Sequence, residues 1–108
     1  MKLRFEPNTV KFRLTSNEIN FLQQNKSLKQ EIFLPGNESF SYQILEVGEN
    51  CELTLEILKN SITATISSQS LNDWITSGQV GISKEFYVKD DVKFTLVIEK
   101  DLPRRKIN

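Results

Sequence analysis

The chain lacks histidine altogether and has a single cysteine, Cys51, among its 108 residues. Without histidine there can be no Ser-His-Asp or Cys-His nucleophile system and no His-ligated metal site. One cysteine excludes an intramolecular disulfide and a Cys-rich zinc cluster. Cys51 stands in Asn50-Cys51-Glu52, beside an acid and no base, and reads as a small apolar filler rather than a redox centre. The four glycines are all isolated, so no Gly-rich phosphate loop, Walker sequence or nucleophile elbow is present. No residue set is read as catalytic, and no cofactor or metal is expected.

Excess charge is missing as well. Fourteen Lys+Arg stand against fourteen Asp+Glu, which argues against a general nucleic-acid binder with its usual basic surplus. No apolar run approaches the roughly 18 residues needed to cross a bilayer. The opening Met1-Lys2-Leu3-Arg4-Phe5 alternates charged and apolar residues, unlike the apolar core of a signal peptide. A cytoplasmic location is the resulting expectation. With 38% hydrophobic and 26% charged residues the composition is that of an ordinary globular protein. The length suits one domain that buries roughly two-thirds of its unfolded surface.

Period-two alternation dominates what is there, and it marks half-buried strands. Leu3 and Phe5 alternate with Lys2 and Arg4. After the turn Glu6-Pro7-Asn8, Val10, Phe12 and Leu14 alternate with Lys11 and Arg13, making a hairpin with one apolar and one basic face. Thr15 to Glu18 fits a capping box, and a short helix to about Gln24 buries Ile19 and Leu22. A second hairpin holds Leu28, Ile32 and Leu34, a turn at Pro35-Gly36-Asn37-Glu38, then Phe40, Tyr42 and Ile44. Leu53, Leu55 and Ile57 pair with Ile62, Ala64 and Ile66 across Lys59-Asn60. Ser67 or Ser68 caps a second helix carrying Leu71, Trp74 and Ile75 and stopped by Gly78. Val80, Ile82, Phe86 and Val88 are extended, Asp90-Asp91 turns the chain, and Val92, Phe94, Leu96 and Ile98 form the last strand.

The two halves match at an offset of 52 residues. Leu3 and Phe5 fall on Leu55 and Ile57, Asn8 on Asn60, Thr15-Ser16 on Ser67-Ser68, Ile19 on Leu71 and Leu22 on Trp74. Farther on, Leu28 meets Val80, and Phe40, Tyr42 and Ile44 meet Val92, Phe94 and Leu96, but Ile32 meets Lys84. This predicts an α+β, predominantly antiparallel domain over residues 1–102, built by duplication of a strand-strand-helix-strand-strand unit (1–52 and 53–102). About eight strands would form a barrel or strongly curved sheet with two short helices, followed by a flexible basic tail over 103–108.

The sharpest polar feature is Lys2, Arg4, Lys11 and Arg13 on one face of the first hairpin, where cross-strand neighbours lie roughly 5 Å apart. One reading is an anion site for phosphate, nucleotide or nucleic-acid backbone. The simpler reading is a solvated face, or pairing with acids elsewhere. Residues 30–58 hold six glutamates and no base, and Glu52 and Glu56 occupy the strand that the repeat equates with the first, so an acidic strand would match the basic hairpin. If the charged faces lined a wide lumen, the arrangement would resemble the triphosphate-tunnel enzymes. Their Glu-x-Glu-x-Lys metal strand is absent, because the corresponding stretch reads Lys2-Leu3-Arg4-Phe5-Glu6.

Lys2-Leu3-Arg4, Val10-Lys11-Phe12-Arg13-Leu14-Thr15, Glu18-Ile19, Trp74, Val80-Gly81-Ile82 and Val97-Ile98-Glu99-Lys100-Asp101 occur in that order. This pattern resembles a family of small uncharacterised bacterial proteins of unknown function. Its members open with Lys-Ile-Arg and Arg-Leu-Arg-Leu-Thr strands and close with a Val-Glu-Lys-Asp strand. Where members continue with Phe-x-Cys-Leu and an acidic tail, this chain reads Leu102-Pro103-Arg104-Arg105. The resemblance implies a bacterial, cytoplasmic setting and no activity. The expected function is a non-enzymatic binding or interaction module, with a protein partner or a second copy as its target. The alternative is a small-anion binder, or a degenerate relative of the tunnel enzymes, acting through the basic hairpin; nucleic acid and membrane are not expected partners.

Overall fold

A computed structural model describes residues 1–102; the basic tail read at 103–108 lies outside the described residues. In chain order the elements are β1 (Lys2–Glu6), β2 (Thr9–Leu14), α1 (Ser16–Asn25), β3 (Ser27–Leu34) and β4 (Glu38–Val47). They are followed by β5 (Thr54–Ile57), β6 (Ser61–Ser67), α2 (Ser68–Thr76), β7 (Gly81–Lys89) and β8 (Val92–Lys100). The capping box forms at α1: Thr15 Oγ1 accepts from the Glu18 N–H at 3.3 Å, and Glu18 Oε1 accepts from the Thr15 N–H at 2.9 Å. Ser67 caps α2 by accepting from the Ser70 N–H at 3.1 Å. Ser77 is the C-cap of this helix and Gly78 follows it at C′, but without the positive φ of a left-handed glycine cap. No helix among the described residues is long and apolar enough to cross a membrane.

The strands do not close into a barrel. They form two four-stranded sheets, ordered β1-β2-β8-β7 and β3-β4-β6-β5. Each is mixed: the hairpins are antiparallel, but β2 runs parallel to β8, and β4 parallel to β6. The reason lies in the helices. A 10-residue helix spans about 15 Å, enough to carry the chain between sheets about 10 Å apart. Each unit therefore leaves one hairpin in each sheet, and hairpins from opposite units meet side by side along parallel seams. β1, β7, β3 and β5 remain as edges.

Period two places the apolar residues of both sheets on facing sides. Val10, Phe12 and Leu14 of β2, Leu96 and Ile98 of β8, Tyr42 and Ile44 of β4, and Ile62, Ala64 and Ile66 of β6 share one buried core. The Phe12 and Tyr42 rings, from opposite sheets, lie 6.3 Å apart. Ile19 and Leu22 of α1 and Leu71 and Trp74 of α2 complete it. Cys51 is half-buried in the loop between β4 and β5.

The ladders refine the internal repeat. The register Lys2↔Arg13 through Phe5↔Val10 recurs as Thr54↔Thr65 through Ile57↔Ile62, an offset of 52 on both strands. In the second hairpins Ser27↔Leu45 recurs as Gly81↔Glu99, an offset of 54. The added residues fall where Ser77 to Val80 replace the lone Lys26 between helix and strand. Leu28 therefore corresponds to Ile82 rather than Val80, and Phe40, Tyr42 and Ile44 to Phe94, Leu96 and Ile98. Ile32 then meets Phe86 instead of Lys84, so the local mismatch disappears. Backbone bonds repeat too. Asn8 O accepts from the Thr95 N–H at 2.9 Å as Asn60 O does from Ser41 at 3.1 Å. Lys26 O accepts from Glu46 and Val80 O from Lys100, both at 2.8 Å.

Candidate functional site

Lys2 sits opposite Arg13 and Arg4 opposite Lys11 on the β1–β2 hairpin. Because Val10, Phe12 and Leu14 face the core, these four cations face outward. Among the described residues the two open sheets enclose a packed apolar core and no lumen, so the tunnel arrangement is ruled out for them. They surround a shallow concavity of ≈ 260 Å³ lined by Lys2, Leu3, Arg4, Lys11, Arg13 and Glu99.

Acids answer the cations, but not the acids of residues 30–58. Arg13 directs Nε and Nη2 at Glu99 Oε1, at 3.0 and 2.8 Å. The hydrogen bond to Glu99 and then its charge raise the Arg13 pKa above its ordinary value, with Asp101 adding to the effect. Lys2 Nζ lies 3.5 Å from Asp101, while Arg4 Nε and Lys11 Nζ lie 3.3 and 3.4 Å from Glu6. Glu99 and Asp101 reach the hairpin only because β8 runs alongside β2, which no local pattern in the sequence announces. The expected acidic match fails: Glu56 lies on β5 of the other sheet opposite Thr63, and Glu52 pairs with Lys84 at 3.2 Å. Glu46 instead joins the C-cap of α1 to the start of α2. Its Oε2 lies 3.0 Å from Lys26 Nζ and accepts from the Ser68 hydroxyl at 2.7 Å, with the side chain only 5% exposed. Among the described residues no group of three or more His, Cys, Asp or Glu side chains could hold a metal ion.

The feature missed in the sequence is the outer edge of β3, which is free among the described residues. From Lys29 to Leu34 every residue is exposed, and Ile32, Phe33 and Leu34 are 42%, 80% and 45% accessible. A signal was available, since three consecutive apolar residues break the alternation. At the corresponding place on β7, Tyr87 is 78% exposed but lies under the Lys93 ammonium, 5.3 Å from its ring centre. Phe33 has Ser39 in that cross-strand position instead.

The other edges carry features that discourage pairing. β1 exposes two like charges, Lys2 and Arg4. β5 is four residues long. The β7 ladder is irregular between Tyr87 and Lys89. β3 alone pairs with its neighbour over eight residues without a break, from Ser27↔Leu45 to Leu34↔Glu38.

Comparison with curated proteins and with solved structures finds no match to this chain. A family model described as "Family of unknown function (DUF7009)" matches residues 1–104. That covers both sheets and both helices, and the chain belongs to this family of unknown function.

Proposed function

We propose that the protein is a non-enzymatic interaction module of the bacterial cytoplasm, built by duplication, whose association surface is the β3 edge. The observation that carries this is the exposed Ile32-Phe33-Leu34 run on a strand with one side unpaired. An exposed edge offers a row of free backbone donors and acceptors, and apolar side chains along it favour burial against another chain. The matching registers of the two units support the duplication, and the family resemblance supports the setting.

Phe33→Asp tests the reading. The position is exposed, so the thermal midpoint should correspond to a stability change within about 0.5 kcal/mol. Sedimentation velocity should show association in the unmodified protein, with itself or a captured partner, and its loss in the variant. A protein that stays alone under both conditions, or association that Phe33→Asp leaves intact, would overturn it.

A second reading is a small-anion site at the basic hairpin. It is favoured by the concavity, which four cations and a single acid line. An anion must compete with Glu6, Glu99 and Asp101 for those cations, so binding should be weak and salt-sensitive. Calorimetry with inorganic phosphate at low salt should then give saturable heat that Arg4→Gln with Arg13→Gln removes. No heat from the unmodified protein would sink this reading.

A further inference from the structure

Resting on the edge reading above, we propose that the occupant of the β3 edge is the same strand of a second copy. The two strands would run antiparallel about a two-fold axis at Gln30. Antiparallel pairing places residues directly opposite one another on the same face, and their charges then select the register. An axis at Gln30 sets Lys29 opposite Glu31 of the partner subunit, twice by symmetry. It also sets Leu28 opposite Ile32 of the partner subunit, and Phe33 opposite Ser27 of the partner subunit. Moving the axis to Glu31 puts two glutamates face to face, and moving it to Lys29 does the same with two lysines. An axis at Ile32 leaves Glu31 against a phenylalanine. Only the Gln30 axis sets unlike charges of this strand opposite one another.

Two further observations support a second copy. Lys29 and Glu31 make no ion pair within the chain among the described residues, so both are available to an outside strand. β3 is also the long, regular edge, while β1, β5 and β7 carry like charges, short length or an irregular ladder. The product is a continuous eight-stranded sheet through two copies of β3-β4-β6-β5. Such an interface is closed and isologous, so it stops at two subunits. Eight residues of edge make a small contact, so the dissociation constant should be on the order of 10 µM.

Sedimentation equilibrium of the full chain from about 1 µM to about 1 mM brackets that range. A reversible dimer is expected. Lys29→Glu and Glu31→Lys should each weaken it about tenfold, since each replaces two attractions with two repulsions. Mixing the two variants should restore full-strength association, because each repulsive pair then becomes attractive. The double exchange Lys29→Glu with Glu31→Lys should dimerise like the unmodified protein. A dimer indifferent to both single changes, or a mixture that stays monomeric, overturns the register. A protein monomeric at all concentrations overturns the self-pairing. If that monomer still holds a different protein through Phe33, the interaction reading survives without the second copy; if it holds none, both fall.

Discussion

Residues 1–52 and 53–108, produced as separate chains, are expected to lack stable structure alone and to fold together when mixed. Neither half owns a sheet: each contributes a hairpin to each, joined along the β2–β8 and β4–β6 seams. The core is divided in the same way. The first half supplies Val10, Phe12, Leu14, Ile19, Leu22, Leu28, Tyr42 and Ile44, and the second supplies Ile62, Ala64, Ile66, Leu71, Trp74, Leu96 and Ile98. An isolated hairpin is marginal in water, and chains of about 50 residues bury too little surface to compensate. Far-UV circular dichroism should show little structure in either half and a folded spectrum at one-to-one mixing. Volume should make the halves prefer each other over themselves. Phe12 corresponds to Ala64 and Leu22 to Trp74, so a pair of first halves would overpack at Phe12 and leave space at Leu22, and a pair of second halves would do the reverse. A half that melts cooperatively on its own as a monomer would contradict this account.

Trp74→Ala is expected to be the most damaging single change, at about 3–5 kcal/mol. The indole is 1% exposed, its Nε1 donates to Val80 O at 3.1 Å, and the Lys100 ammonium sits 5.7 Å from the ring centre. Lys100 Nζ also donates to Ser77 O at 3.2 Å, so one side chain organises the longer link between α2 and β7. Against a total stability of about 5–15 kcal/mol, this loss should lower the thermal midpoint by at least about 12 °C. Trp74→Phe keeps most of the volume and gives up the N–H, and should cost about 1 kcal/mol beyond the lost area. A Trp74→Ala loss below about 1 kcal/mol would mean that α2 is held by something other than this side chain.

Much of the local structure was readable because its causes are local. Thr15 and Glu18 satisfy each other's backbone N–H groups three residues apart, so the α1 cap needs no tertiary information. Alternation in β2 put Val10, Phe12 and Leu14 on one face whatever that face would meet. The offset of 52 was visible because the first hairpins and N-caps keep it; it failed later where Ser77 to Val80 lengthen one link. The basic hairpin was also visible, but its partners were not. Arg13 and Glu99 are 86 residues apart, and their meeting depends on which strand lies beside β2. The Ile32-Phe33-Leu34 run was visible too, but not its exposure, because a strand's pattern does not say whether it is central or at an edge.

By itself, then, the sequence determined the strands and helices, their order, their faces and the repetition of one unit. Period two and capping chemistry act within a few residues of their cause. Only the tertiary structure decided that the hairpins trade places between two open sheets, that the cations face water beside Glu6, Glu99 and Asp101, and that β3 keeps one edge unpaired among the described residues. Those outcomes follow from how each helix carries the chain across the core. Pairing between distant strands depends on the path of the whole chain, while alternation records only which residues share a side.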